Sequence, residues 1–499
     1  MRKIRNRYHM IDYNIKQKRK KQKQLLLLFL IIFSIISVLS IGIFYIKYKQ
    51  QTEHKLQTVM QPINDREKSE KESKQTNKAG TSVSSALSDE NYRKKILTEA
   101  QNMVIQYDYK GALDLLKKEQ GYEKYEDILD AVKKYEAEQN NLVEWDIQKT
   151  THVFFHSLIA DTSKAFDGDE REKGYDMYMT TISEFNKMMD SMYKKGYVLV
   201  TPHQLIKTEI NSKGKEVMTD QKIMLPKGKK AFILSIDDVS YYQYMEGDGF
   251  ATRIILDENG KPTCEMKMDD GSVTTGDYDV PPLLERFIEK HPDFVYQGAR
   301  GIIALTGYDG VLGYRTSASQ HRDNKEYTDK YPAYNFETEC ENAKKVVEGM
   351  KTCGWLFSSH SYSHNNIGQQ STGDKKPLSY KEFKHDTDMW EKEVKPIVGE
   401  TDIIIFPQGT HLNETGRPDW KPYKKTNTHY KYLKSKGFRY FFGVGGYQPW
   451  VQVSKEYFRQ DRINFDGVEM RNAPQLLKQF FNPTKVYDKS RPTKLNKVN

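Results

Sequence analysis

AFILSIDDVS (231–240) and GWLFSSHSYSH (354–364) are the two stretches from which the rest of the chain is read. Each is a short apolar run of strand length that stops abruptly at residues able to hold a cation or move a proton. The first delivers Asp237 and Asp238, the second His360 and His364. Further buried-strand candidates flank them: HVFFHSL (152–158), YVLVT (197–201), RGIIALTG (300–307), DIIIFP (402–407) and RYFFGVG (439–445). Helical periodicity fills the intervals, as at 182–197, 280–291, 339–354 and 428–437. Alternating strand and helix predicts a parallel sheet covered on its faces, and the number of units predicts an α/β chain closed, or nearly closed, into a (β/α) barrel. In such barrels chemistry gathers where strands end.

Two adjacent carboxylates at a strand end point in different directions, so one can ligate a metal while the other faces a reacting water. Histidines four apart lie on one face of a helical turn and can present both imidazoles to one cation. Together the two stretches offer a His-His-Asp site with positions left open for water and substrate. The donor set suits Zn²⁺ and leaves Fe²⁺, Co²⁺, Ni²⁺ and Mn²⁺ open. A structural metal would close its fourth position, and with no Cys or third paired His nearby an open catalytic site is the better reading.

These residues resemble the polysaccharide deacetylases of NodB-type fold, carbohydrate esterases that remove N-acetyl or O-acetyl groups from glycans. LSIDDVS (234–240) is similar to the family's first motif, TFDDG, with Val239 in place of the glycine. Ser359 to His364 is similar to the SHTxxH motif, and Phe406-Pro407-Gln408-Gly409 to a degenerate RPPYG or YPYG motif. The entry VFFHSL and the segment KYLKSKGFRYFFGVG (431–445) extend the likeness over about residues 150–470.

The resemblance implies a deformed barrel in which Asp238, His360 and His364 hold the metal and Asp237 is the general base. It also implies an oxyanion donor at the main-chain N–H of Gln408, with Pro407 beside it facing substrate. The arginine that tunes the base in many members falls at Ile405, so that tuning is absent or supplied from elsewhere, Arg462 being one source. The Leu-x-His motif that carries the family's general acid has no counterpart at 473–477, which leaves His411 and His156 as substitutes. The stretch between Asp238 and His360 is long for the family. Residues 244–316 read as an insertion, with a hairpin turning at Asn259-Gly260 that is expected to form a rim or lid. The loop ALTGYDGVLGYRT (304–316) is expected to bind sugar, with Tyr308 or Tyr314 stacking on a pyranose and Arg315 holding an acidic group.

A chain of 499 residues with 37% hydrophobic, 29% charged and 12% aromatic content can bury a large core, which excludes a small stapled scaffold. Three cysteines, Cys264, Cys340 and Cys353, are too few for a disulfide framework. Residues 1–24 carry ten Lys and Arg against Asp12, a net +9 of the formal +10, so the remainder is nearly neutral and a nucleic-acid surface is not supported. Leu25–Ile46 holds no charge. At about 1.5 Å per residue it crosses a hydrocarbon layer of roughly 30 Å. A cleavable signal peptide has an apolar region of about 7–15 residues, so this run predicts an uncleaved transmembrane signal anchor. The preceding cations predict a cytoplasmic N-terminus and an extracellular remainder.

Residues 47–89 are polar and predict a flexible stalk, and 90–145 predict a helical hairpin or spacer. Residues 150–480 form the expected deacetylase-like domain and 481–499 a C-terminal tail. The reading that follows is a membrane-anchored, extracellular, metal-dependent deacetylase of cell-wall or surface glycan, kept near its substrate by the tether. Its rival is a glycan-binding or scaffolding protein on a weakened deacetylase fold. Oligomeric state leaves no trace in the sequence.

Overall fold

Short runs of Val, Ile, Leu and Phe must leave water, and six of them do so by pairing edge to edge with one another and with a seventh, more polar strand. They are β1 (Thr151–Phe155), β2 (Lys230–Ile236), β3 (Ile302–Leu305), β4 (Leu356–Ser359), β5 (Ile403–Ile405), β6 (Tyr440–Val444) and β7 (Phe458–Asn464). Each is parallel to the next in chain order, and β7 pairs with β1, so the sheet closes into a seven-stranded parallel barrel. The computed structural model describes residues 87, 89–119, 121–369, 371, 375–412, 422–445 and 449–495. The basic tail, the apolar run 25–46 and nearly all of the stalk lie outside them. Among the described residues no helix is long and apolar enough to cross a membrane.

Two strands differ from expectation. Tyr197–Leu199 is not a stave of the barrel: it pairs with Lys230–Phe232 and makes one bridge from Leu199 to Val295, while Ser235 and Ile236 pair with β3. β2 is longer than β3, so its first residues would present an open edge, and the short strand covers it. β7, FRQDRIN, closes the barrel although its sequence is mostly polar.

The alternation of the strands sorts their side chains. Phe155, Phe232, Leu234, Ile303 and Phe357 face outward into the main core, against helices such as Ile182–Lys194 and Phe336–Cys353. Ala231, Ile233, Ile302, Ala304, Ile405 and Phe442 share the inner cluster. The same parity carries on into the polar residues at the strand ends, where Ser235 and Asp237 continue the inward row of β2 and His156 that of β1.

Three helices precede the barrel: α1 (Glu90–Ile105), α2 (Tyr109–Lys117) and α3 (Glu126–Asn140), packed round Ile96, Ala100, Leu116 and Ile128. Tyr107 stacks on Tyr296 at 6.1 Å and donates its hydroxyl to the Asp293 carbonyl at 2.7 Å. Those partners lie just before β3, so the helices dock at the end of the barrel opposite the strand C-termini. The insertion forms a three-stranded antiparallel sheet, 253–256, 262–267 and 273–276, turning at Asn259-Gly260 as expected. It is not a lid. Its apolar residues Ile254 and Cys264 are fully buried in the main core, which ties the sheet to the flank. The three cysteines are free thiols.

The expected C-terminal tail is part of the fold up to residue 495. Arg491 is fully buried and donates to both carboxylate oxygens of Glu184, to Asp176, and to the Met179 carbonyl at 2.7 Å. A guanidinium survives such burial only when its donors are matched in this way. It thereby fixes α4 (Glu172–Tyr178) at the barrel rim.

Candidate metal centre

The C-terminal ends of β1, β2, β4, β5, β6 and β7 open into one pocket of about 530 Å³. β2 ends at Asp237, which keeps the inward parity of the strand and is 3% exposed. The next residue, Asp238, takes φ +60. This left-handed turn breaks the alternation, so the second carboxylate also reaches the pocket. Asp tolerates that conformation better than most residues.

Asp237 is gripped by Arg462 of β7, whose two terminal nitrogens donate to its two oxygens at 2.6 and 2.9 Å. The guanidinium also donates to Ser235 Oγ at 3.1 Å and lies 4.0 Å over the Phe154 ring. Burial pushes the Asp237 carboxyl up, but Arg462, His360 and His156 more than reverse it and hold it well below the ordinary carboxylate range. The cation beside Asp237 thus comes from the last strand of the barrel.

His360 follows β4 and is buried. Its Nδ1 donates to the Ile405 carbonyl at 2.9 Å, which leaves Nε2 with a lone pair turned to the carboxylates. Burial lowers its pKa against the raising effect of Asp237 and Asp238. His364 Nε2 lies 3.4 Å from Asp238 Oδ2. The two histidines do not share a helical turn. Ser361 and His364 have φ of +60 and +53, and this kinked loop brings their rings to 5.1 Å. Gln408, also left-handed at φ +57, donates its side-chain amide to the His364 carbonyl at 2.9 Å and fixes the loop. Non-glycine residues in this region cost about 1–3 kcal/mol each and gather where geometry is imposed for function.

Asp238, His360 and His364 each offer one ligand atom, all within 4.8 Å of one another. Asp238 Oδ1 accepts the Tyr242 hydroxyl at 2.7 Å, and Oδ2 is the oxygen turned to His364. Burial raises the Asp238 carboxyl, and His364, His360 and His156 lower it overall. One carboxylate oxygen and two imidazole nitrogens, with the other polar atoms of Asp238 and His360 already engaged, fit a divalent ion of the zinc type.

Among the other expected site residues, His156 lines the pocket, with Nδ1 3.1 Å from the Tyr178 carbonyl. Gln408 lines it too. Pro407 is buried and does not, because it starts the tight turn behind Gln408. His411 is withdrawn: its Nε2 lies 3.1 Å from the Val444 carbonyl and 3.3 Å from Asp461, with the ring laid over Gly443. Tyr314 and Arg315 do not line the pocket. Tyr314 donates to the Ile254 carbonyl, and Arg315 donates to the carbonyls of Asp309 and Tyr241 and to Glu246, so both are consumed by the insertion they anchor. Tyr308 stacks on Tyr242 at 4.6 Å, one ring removed from Asp238, and does not line the pocket.

The sequence reading missed Tyr178, Met179, Lys375, Asn464 and Tyr242. Tyr178, 48% exposed, and Lys375 stand at the pocket. Only Tyr242 left a trace, in its position four residues after Asp238.

No family model and no curated protein matches the chain. Among solved structures the chain is similar to the Streptococcus pyogenes deacetylase PplD in complex with acetate. The two share 13% identity over 68% of this chain and 99% of that one, with a TM-score of 0.33.

Proposed function

We propose that this chain is a metal-dependent deacetylase that hydrolyses acetyl groups, N-acetyl of amino sugars above all, on cell-wall or surface polysaccharide. We propose further that residues 25–46 anchor it in the membrane with residue 47 onward outside the cell. The observation that carries the hydrolytic reading is the convergence of Asp238, His360 and His364 beside an ionised, arginine-bound Asp237 in one pocket.

A divalent ion held by those three residues supplies Lewis acidity, which makes a water nucleophilic near neutral pH and polarises the acetyl carbonyl. Asp237 takes the proton of the attacking water, and Arg462 keeps the carboxylate aimed and ionised until then. The Gln408 main-chain N–H, presented by its left-handed turn, is the proposed donor to the developing oxyanion. His156 is the proposed acid. With Nδ1 donating to the Tyr178 carbonyl, Nε2 is the nitrogen that delivers a proton to the leaving amine. Tyr178 and Lys375 replace Tyr308, Tyr314 and Arg315 as proposed glycan contacts, an exposed ring for a pyranose face and a cation for an acidic substituent. A binding module would need neither the second carboxylate nor the arginine that fixes it, so the enzyme reading is preferred to the scaffold.

The test is acetate release from N-acetylated glycan by the metal-stripped protein before and after Zn²⁺ or Co²⁺ is added. Asp238→Ala and His360→Ala should lose metal on elemental analysis, whereas Asp237→Asn should keep it and lose turnover. Glycan retention without acetate release under any metal would favour the scaffold instead.

A further inference from the structure

The two oxygens of Asp238 are not equivalent. Its Oδ1 accepts the Tyr242 hydroxyl at 2.7 Å, while Oδ2 is the atom facing His364. The same hydroxyl lies 2.9 Å from Thr306 Oγ1, which in turn lies 3.0 Å from Ser240 Oγ. Thr306 is fully buried at the end of β3, the strand end that contributes no lining residue to the pocket. The phenol ring also stacks on Tyr308 at 4.6 Å and on Tyr244 at 5.6 Å, with interplanar angles of 10° and 11°. A buried hydroxyl held in a three-ring stack, with an acceptor on one side and a hydroxyl partner on the other, is a preorganised outer-sphere contact.

We propose that Tyr242 is a positioning residue that holds Asp238 to one-oxygen ligation and thereby sets the metal preference of the centre. This rests on the metal-site reading above and adds to it. His360 and His364 give one nitrogen each, so with Oδ1 drawn toward the phenol and Oδ2 toward the histidines the protein would supply three donor atoms. That number suits Zn²⁺ and Co²⁺ at low coordination. Larger or harder ions such as Mn²⁺ gain more from a carboxylate that can chelate with both oxygens and from added oxygen ligands. Removing the phenol hydroxyl frees Oδ1, loosens the aim of Oδ2 and makes two-oxygen chelation available.

The test uses the metal-stripped protein and the variants Tyr242→Phe and Thr306→Val, titrated with Zn²⁺ and with Mn²⁺, and separately loaded with Co²⁺ for its visible spectrum. Tyr242→Phe keeps the stacked ring and should bind Zn²⁺ about 10- to 100-fold more weakly. Mn²⁺ affinity should fall less or rise, and the Co²⁺ bands should weaken as the coordination number increases. Thr306→Val keeps the phenol but removes its second partner, and should shift both readouts in the same direction by less. Equal losses for Zn²⁺ and Mn²⁺ with an unchanged Co²⁺ spectrum would overturn the proposal, since a purely structural tyrosine gives that result. A wild-type protein that binds neither Zn²⁺ nor Co²⁺ would instead remove the metal centre itself, and this proposal with it.

Discussion

Replacing Arg462 with Met tests the electrostatic heart of the site, because it removes a charge and nearly preserves volume. Arg462 is 1% exposed and Asp237 3%, so neither partner is screened by water. Two unit charges about 4 Å apart at an effective dielectric near 20 interact by about 4 kcal/mol. Breaking a buried pair by removing one partner costs about 3–5 kcal/mol, because the other charge is stranded. The stranded carboxyl escapes part of that cost by taking up a proton.

The pH dependence then changes sign. In the wild type Asp237 is held below its unfolded value, so its contribution to stability is complete above about pH 4 and is lost only as the pH falls through the depressed value. In Arg462→Met, burial is left as the larger influence and the carboxyl rises above its unfolded value. The fold then binds the extra proton, and stability falls as the pH rises. Urea unfolding of the metal-free proteins between about pH 5 and pH 8 measures this. The variant should lose the full 3–5 kcal/mol, about that much, near pH 8 and progressively less toward pH 5. Arg462→Lys, which keeps the charge without the two-pronged grip, should fall between. Parallel stability curves for wild type and Arg462→Met would refute the pairing as the source of Asp237 ionisation.

His156→Gln should lower kcat by about 10²- to 10⁴-fold while metal content stays at the wild-type level, and the acid role is wrong if turnover is unchanged. His411→Gln, by contrast, should leave both metal content and kcat near wild type, because its ring is spent on Val444 and Asp461; a loss as large as that of His156→Gln would reverse the assignment. Gly443→Ala places a Cβ 2.2 Å from His411 Cε1 and should destabilise the fold by about 1–3 kcal/mol, read by urea unfolding, without loss of metal.

The apolar strands and the two ligand-bearing strand ends were legible because each is a local pattern. β7 was not. Phe458–Asn464 carries Arg459, Gln460, Asp461 and Arg462, all at most 5% exposed, and reads as a surface segment. What allows its burial is non-local: Gln460 donates to the Thr150 carbonyl at 2.7 Å, and Arg462 pairs with Asp237, both across hundreds of residues. The structure does not bring Tyr308, Tyr314 or Arg315 to the pocket, and the sequence could not show this because Gly, Tyr and Arg look alike in a binding loop and in a tight packed turn. Only the partners of Tyr314 and Arg315 distinguish the two. Tyr178 could not be singled out because its significance is a place, at the end of α4 beside β1, and not a pattern.

That place makes the last residues of the chain matter to the first strand of the barrel. His156 is oriented by the Tyr178 carbonyl, and the turn that presents this carbonyl is fixed on either side by Arg491, through Asp176 and through the Met179 carbonyl. None of Asp238, His360 and His364 touches this brace, so the two halves of the proposed chemistry should separate. Arg491→Met strands Glu184, while Asp176 keeps Arg471 at 3.0 Å, and should destabilise the protein by about 3–5 kcal/mol. In the fraction that remains folded, verified by circular dichroism, it should keep its metal and yet lose kcat. Because the loss would act through His156, the double variant Arg491→Met/His156→Gln should turn over no more slowly than His156→Gln alone. Additive losses would mean that Arg491 acts on the site by a route other than the Tyr178 carbonyl, and the chain of contacts from the C-terminus to the acid would have to be abandoned.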